Sequence, residues 1–375
     1  MLLIEDLPTP SAVVDLDRLE RNCERMSERM RALGVRLRPH VKTHKCAGAA
    51  RLQVRGHFGG ITVSTLAEAH AFAAAGFADI TYAVPIAPAR IAEAAELARG
   101  IERLALLVDH EAVVGELEAC AAAQGVRLRV LLKVDCGYHR AGVDPAAESS
   151  VALAARIAGS PYLDFAGVLT HAGHAYHARD AVGAASVAAQ ERDVMVAFAV
   201  RLRAAGIDVA EVSVGSTPTM CAATDLTGVT EARPGNYAFF DAFQAAIGSC
   251  TLADVAFFVL ATVIGSYPAR GELLLDAGAL ALSKDEGSRH VDAECGYGVL
   301  VHPLSRRPRR GLRLAALSQE HGEVRGAADA VAAQPIGTKM MVVPNHSCLA
   351  AALHERFAVV RGESVVDEWR PVRGW

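Results

Sequence analysis

The chain has 375 residues, of which 52% are hydrophobic and only 5% aromatic, and 38 Lys and Arg stand against 42 Asp and Glu for a formal net charge of −4. That is a globular composition, long enough for two or three domains or for one barrel with an appendage, and it excludes a disordered chain and a basic nucleic-acid binder. The first residues, Met1-Leu2-Leu3-Ile4-Glu5-Asp6, meet acids too early for a signal peptide, and apolar runs elsewhere are broken before membrane-spanning length, so a soluble, cytoplasmic protein with no nucleic-acid or membrane partner is expected.

In chain order, Ala12-Val13-Val14-Asp15-Leu16 reads as a strand. Asp17 caps a helix with Leu19, Cys23, Met26, Met30 and Leu33 at helical spacing, and Gly34 ends it. Eight strand-like runs follow at 35–41, 60–65, 80–84, 104–108, 128–134, 163–170, 209–214 and 229–232. Helical patterns at 66–75, 89–99, 111–124, 146–158 and 184–205 separate most of them. Alternation of near-continuous Val/Ile/Leu strands with helices predicts a parallel sheet covered on its faces, and eight such units predict a (β/α)8 TIM barrel. No GxGxxG follows any strand, which argues against a dinucleotide-binding sheet.

Past Asn236-Tyr237 the texture changes. Runs at 255–266, 272–276, 311–317 and 338–343 are strand-like, turns and basic loops separate them, and long helical patterns are absent. The expected division is a barrel over 10–248 and a C-terminal β domain over 249–375, joined by residues 1–9. Eight scattered cysteines without a CxxC read as reduced thiols.

Six stretches carry possible chemistry. In Arg38-Pro39-His40-Val41-Lys42-Thr43-His44-Lys45, Pro39 ends a strand and two lysines and two histidines crowd into one loop, where α/β folds place their chemistry. A desolvated lysine beside other cations loses its proton and becomes a carbonyl nucleophile; a solvated basic turn is the plain alternative. Asp135-Cys136-Gly137-Tyr138-His139-Arg140-Ala141-Gly142 ends a strand in a glycine-bracketed turn, and its arginine can bind a phenolate or carboxylate or simply be solvated. Thr170-His171-Ala172-Gly173-His174-Ala175-Tyr176-His177 spaces three histidines three apart, but Gly173 predicts an irregular loop, so hydrogen-bonding histidines are favoured over a metal site. Val214-Gly215-Ser216-Thr217-Pro218-Thr219 and Arg233-Pro234-Gly235-Asn236-Tyr237 follow the seventh and eighth runs, where barrels often bind phosphate; a capped helix start is the alternative for the first. Finally, His346 and Cys348 in Pro344-Asn345-His346-Ser347-Cys348 can face one metal ion if the segment is extended, although a lone His-x-Cys is most often structural.

Together these stretches resemble the D-serine dehydratase/D-threonine aldolase family, which has the alanine racemase-like, fold-type III architecture: a (β/α)8 barrel binding pyridoxal 5′-phosphate (PLP) and a C-terminal β domain. The resemblance runs from Thr9 to Trp375 with the motifs in order. It implies that Lys42 holds PLP and acts on the substrate, with Lys45 a bystander. Arg140 and His171 would lie near the ring, and Tyr176 would approach its nitrogen. Gly215, Ser216, Thr217, Gly235, Asn236 and Tyr237 would bind the cofactor through its phosphate segments. His346 and Cys348 would hold a metal, zinc before manganese or another divalent ion, because the dehydratases carry His-x-Cys where the aldolases carry His-x-Asp. Arg233 is left without a role, since it and Tyr176 cannot both serve the ring nitrogen, and the 319–322 stretch is expected beside the metal. The implied activity is a homodimeric lyase of D-3-hydroxy amino acids, D-serine first, with 3-hydroxy-D-aspartate dehydration or D-threonine aldol cleavage as alternatives. A non-catalytic PLP carrier would share the barrel alone. A racemase would need a second acid/base, for which Tyr297 is the one evident candidate.

Overall fold

The computed structural model describes residues 2–375. The chain divides into two compact units, Met26–Gly235 with Val372–Trp375, and Met1–Arg25 with Asn236–Pro371.

The strands in chain order are β1 (Ser11–Asp15), then β2 (Arg36–Leu37), β3 (Ile61–Val63), β4 (Asp79–Pro85), β5 (Arg103–Val108), β6 (Leu128–Lys133), β7 (Leu163–Leu169), β8 (Glu211–Val214) and β9 (Glu231–Ala232). Among the described residues, β2 to β9 form one all-parallel sheet in the order β2-β9-β8-β7-β6-β5-β4-β3. An isolated parallel bridge between His40 and Thr62 joins the two ends of that order, so the sheet curls toward a closed barrel. The central strands are buried along nearly their whole length, as covered parallel strands must be. Ala105, Leu107, Leu131, Ala166 and Leu169 pack together among them.

The intervening helices begin and end where local chemistry allows. Glu111–Gln124 starts at His110, whose ring accepts the Ala112 N–H, and stops at Gly125 in the left-handed conformation. Leu66–Ala74 starts at Thr65, whose hydroxyl accepts the Glu68 N–H, while the Glu68 carboxylate accepts from Ser64 N at 2.8 Å. The run predicted at 35–41 makes only a two-residue ladder, because Pro39 has no N–H to give. It stays extended nonetheless: Arg38 N donates to Ala232 O, His40 N to Pro234 O, and Pro39 O accepts from Thr62 N.

The other unit is built on β1 with β10 (Phe257–Tyr267), β11 (Glu272–Leu275), β12 (Gly298–Val301), β13 (Leu312–Leu317), β14 (Gly322–Gly326), β15 (Lys339–Pro344), β16 (Phe357–Arg361) and β17 (Ser364–Trp369). The main order is β13-β14-β11-β10-β1-β16-β17, with β15 on β10 and β12 on β15. β1 runs antiparallel to β10 and parallel to β16, so the first strand of the chain is a strand of this sheet. Phe239, Phe257 and Phe357 form its aromatic centre, with ring centroids 5.2 to 6.1 Å apart. Four strands, β12, β14, β16 and β17, go beyond the runs predicted from sequence. β14 carries charge at alternate positions and β17 is polar at its end, which hides the apolar alternation.

Candidate active site

The extended segment after β2 reaches the end of the barrel where strands finish, and turns there through Val41–Thr43. His40 Nδ1 accepts the Lys42 N–H at 3.4 Å, which leaves Nε2 facing the Ser64 hydroxyl at 3.3 Å. The two lysines of the loop have different surroundings. Lys45 Nζ lies 3.0 Å from the buried Glu68 carboxylate, and its backbone takes the left-handed conformation (φ 51°). Lys42 is exposed, in contrast to the desolvated amine expected. His44 is buried and bonded to Gln53 at 2.8 Å, and burial pushes its pKa down to about 4.

Burial falls instead on the groups around Lys42. Lys133 ends β6, His171 follows β7 and Arg233 follows β9, so all three sit at strand C-terminal ends. His171 is held well below the usual imidazole range, first by burial and then by Lys42, Lys133, Arg140 and Arg233. His40 is lowered likewise, by burial, Lys42 and Arg233. Lys133 is pushed down to about 7 by burial, then by Arg233 and Arg140. Two imidazoles held neutral and one lysine brought down to about 7 are thus gathered among cations. Arg233 donates to the Ser213 hydroxyl and the Thr170 carbonyl, which engages its guanidinium on the ends of β8 and β7; burial lowers its pKa to about 10.

Arg140 is exposed, its guanidinium 5.2 Å from the centre of the Tyr138 ring. That ring stands edge-on to His171 at 6.2 Å and lies against His174 at 6.3 Å. Tyr176 belongs to the tight turn Gly173–His177, the irregular loop that Gly173 predicted. Among the described residues no group of three or more His, Cys, Asp or Glu is placed to hold a metal, so the three-histidine site does not form.

The two glycine segments meet at the same end of the barrel. Gly215 has φ 114°, and a Cβ there would stand 3.0 Å from Arg233 N. A Cβ on Gly235 would stand 2.7 Å from His40 O. Both positions therefore demand glycine, the second through close approach alone. Ser216 caps the helical turn Thr217–Ala222, and both Ser216 and Thr217 are buried. Bare backbone, two hydroxyls and an excess of cations fit a phosphate group.

In the other unit, Asn236 and Tyr237 are buried in the turn Asn236–Ala238. The segment carrying the His-x-Cys pair is not extended as expected. His346 ends the approach from β15 and Cys348 lies in the helix Ser347–Ala352, so the two side chains meet across a strand-to-helix turn. Burial opposes charge on His346, but Cys348, within hydrogen-bonding reach, and Asp285, at 3.3 Å from Nδ1, hold its pKa well above the ordinary value. An imidazole and a thiol this close, with Asp285 orienting the ring, fit two ligands of an ion whose remaining positions stay open. Gln319, Glu320 and His321 lie in the exposed turn between β13 and β14, and Gly322 is the buried first residue of β14.

Two buried carboxylates escaped the sequence reading. Asp241 accepts from Asn236 Nδ2 at 2.8 Å and from Ser347 N at 2.9 Å, and caps the helix Ala242–Ala246 through Gln244 N. Asn236 Nδ2 also faces Ser347 Oγ at 2.9 Å and Cys348 Sγ at 3.6 Å. Asp241 reads from sequence as an ordinary cap. Glu191, on the helix Ala181–Ala204, accepts from Ala172 N at 3.1 Å and Gly215 N at 2.9 Å with one oxygen. A signal for it existed. Ala184, Ala188, Met195, Phe198 and Leu202 are buried at alternating spacings of three and four, and Glu191 occupies the place in that stripe where an apolar side chain is due.

Comparison with known proteins adds to this geometry. Residues 14–242 match the family described as alanine racemase, N-terminal domain, and residues 256–360 match the putative serine dehydratase domain. The chain is 42% identical over 374 residues to the D-threo-3-hydroxyaspartate dehydratase of Delftia sp. (strain HT23), covering 98% of each chain. The solved structure of that enzyme superposes with a TM-score of 0.96 at 41% identity, covering all of both chains. The D-serine dehydratase of Dictyostelium discoideum is 35% identical, over 99% of this chain and 98% of its own. A D-threonine aldolase of Arthrobacter sp. is 32% identical, over 96% and 91%.

Proposed function

The chain belongs to the family of D-serine dehydratases and their relatives built on the alanine racemase-like fold, and from that premise we propose that it is a PLP- and metal-dependent dehydratase of D-3-hydroxy amino acids. Its first substrate is D-serine, converted to pyruvate and ammonia. The similarity to the Delftia enzyme favours D-threo-3-hydroxyaspartate as the second reading. The observation that carries the proposal is the collection of Lys42, His40, His171, Arg140 and Lys133 at one end of the barrel. The matched serine dehydratase domain speaks against a carrier protein made of the barrel alone.

Lys42 would hold PLP, with Gly215, Ser216, Thr217, Gly235, Asn236 and Tyr237 around its phosphate. PLP, when bound, supplies the electron sink that stabilises negative charge at the substrate Cα. Lys42 Nζ takes the Cα proton, which its exposed position permits and which the paired Lys45 cannot do. Arg140 orients an anionic oxygen of cofactor or substrate. His40 and His171, kept neutral by burial and surrounding cations, add no charge that would repel the proton Lys42 receives. Tyr176 serves the ring nitrogen as a neutral partner. His346 and Cys348 would hold zinc, because a thiolate donor prefers it, and the ion supplies a Lewis acid for the departing β-hydroxyl. A homodimer in the cytoplasm completes the proposal; no disulfide joins the cysteines among the described residues.

Products decide it. With D-threonine, a dehydratase yields 2-oxobutanoate and ammonia, and an aldolase yields glycine and acetaldehyde. Chelation of the metal and Cys348→Ala are each expected to abolish 2-oxo acid formation while the protein keeps its bound PLP. Glycine as the main product, or full turnover without metal, would overturn the reading.

A further inference from the structure

We infer that Glu191 is a positioning residue that clamps the phosphate segment to the loop carrying His171, so that one buried carboxylate sets both the cofactor's anchor and the imidazole beside it. The inference rests on reading 215–217 as the phosphate segment. Glu191 projects from the middle of the helix Ala181–Ala204 and is fully buried. Its Oε1 accepts two backbone N–H groups from two different loops, Ala172 N at 3.1 Å after β7 and Gly215 N at 2.9 Å after β8. Between those loops, His171 Nδ1 lies 3.4 Å from Gly215 O. The imidazole can donate to the Gly215 carbonyl, and the N–H of that same residue is held by Glu191.

Three features make this an arrangement rather than a chance contact. A buried carboxylate is unfavourable unless its lone pairs are used; here Oε1 takes both N–H groups while Oε2 is buried without a hydrogen-bond partner, and burial raises the pKa while the Gly215 N–H, Arg233, the Ala172 N–H and Thr219 act against that rise. Gly215 holds φ 114°, a conformation that few residues adopt and that needs an outside restraint to stay fixed. The acid also stands in the apolar stripe of its helix, between Ala188 and Met195, where leucine would serve packing better. Without the carboxylate, both N–H groups would be buried and unpaired, and the two loops would lose their shared reference.

The test compares Glu191→Ala, Glu191→Gln and Leu202→Ala, the last a buried change on the same helix that leaves the clamp intact. Glutamine keeps an acceptor oxygen for both N–H groups; alanine does not. PLP affinity is measured by titrating the cofactor-free proteins, and backbone protection of peptides spanning Ala172 and Gly215 is measured by hydrogen exchange without PLP. Glu191→Ala is expected to bind PLP at least tenfold more weakly, to lose protection at both peptides and to show reduced kcat at saturating PLP. Glu191→Gln should return all three to within about threefold of the parent, and Leu202→Ala should lower Tm without moving PLP affinity. The inference is overturned if Glu191→Ala binds PLP like the parent, if glutamine fails to rescue, or if Leu202→Ala weakens PLP as much as Glu191→Ala does. A parent protein that does not bind PLP at all would instead overturn the functional reading beneath it.

Discussion

Each end of the barrel gathers four basic side chains, and the two ends use them in opposite ways. Where strands begin, Arg36, Arg38, Arg103 and Arg129 alternate with Asp79, Glu211, Glu231 and Asp164 in a connected network. Arg38 reaches Asp79 at 2.6 Å and Glu231 at 2.8 Å; Arg103 bridges Asp79 and Glu211 at 3.6 Å; Arg129 meets Glu211 at 3.0 Å. Arg36 closes the circuit from Glu231 at 3.8 Å to Glu211 at 4.0 Å. Each cation there faces an anion of the chain's own. Where strands end, Lys42, Lys133, Arg140 and Arg233 crowd around two neutral histidines, with Glu191 and, from beneath Arg233, Glu231 as the acids that act on them. One end is electrostatically complete and the other is arranged for anions that the chain does not supply. On the function proposed above, the difference separates a charged cluster that serves folding from one that serves binding.

If that contrast is right, mutations at the two ends should have separable effects. Lys42→Ala carries the largest. Turnover should fall by at least about 10³-fold and borohydride trapping of PLP should vanish, while stability of the cofactor-free protein stays within about 0.5 kcal/mol. Trapping that survives on Lys45 would break the assignment. Arg38→Met should do the reverse, lowering stability in denaturant by about 3–5 kcal/mol because Asp79 and Glu231 lose a shared buried partner. PLP affinity per folded molecule should not change, and a weakened affinity would mean that the ends are coupled. The smallest effect, taken per pH unit, is a slope in stability. Lys133 titrates near 10.5 when unfolded and about 7 when folded, so between those values the unfolded chain holds the extra proton. Stability of the cofactor-free protein should therefore rise with pH across that window, by up to about 1.4 kcal/mol per unit, and fall back toward pH 7. Lys133→Met should flatten this slope; an unchanged slope would show that Lys133 stays charged in the folded state.

Much of this was legible in the residues. The Glu111–Gln124 helix falls where its periodicity put it, and the eight barrel runs were found because covered parallel strands are apolar without interruption. Lys42 and the glycine segments were singled out by their resemblance to family motifs, because the residues alone read equally well as a solvated basic turn and a capped helix start. What stayed hidden depends on tertiary neighbours. A glutamate in a long helix looks solvated until the helix's buried stripe is known, and Asp241 looks like a cap because it is one, with its bonds to Asn236 and Ser347 set by distant parts of the chain. His346 and Cys348 were named for the wrong local reason. The segment turns helical at Ser347, and the pair meets because of that turn rather than by strand alternation.

The seam of the barrel has a consequence for how the protein comes to exist. β2 pairs with β9, Arg36 opposite Glu231, and His40 bridges Thr62 where the circle closes. Lys42 is therefore synthesised early, yet Gly235, the residue that must fit against the His40 carbonyl, emerges only after the whole intervening run of strands and helices. Contacts so remote in sequence form late, since the loop they close is long. Until the ninth strand is available, the lysine loop lacks the Gly235 backbone that packs against the His40 carbonyl. The order of synthesis thus delays the cradle until the barrel can close.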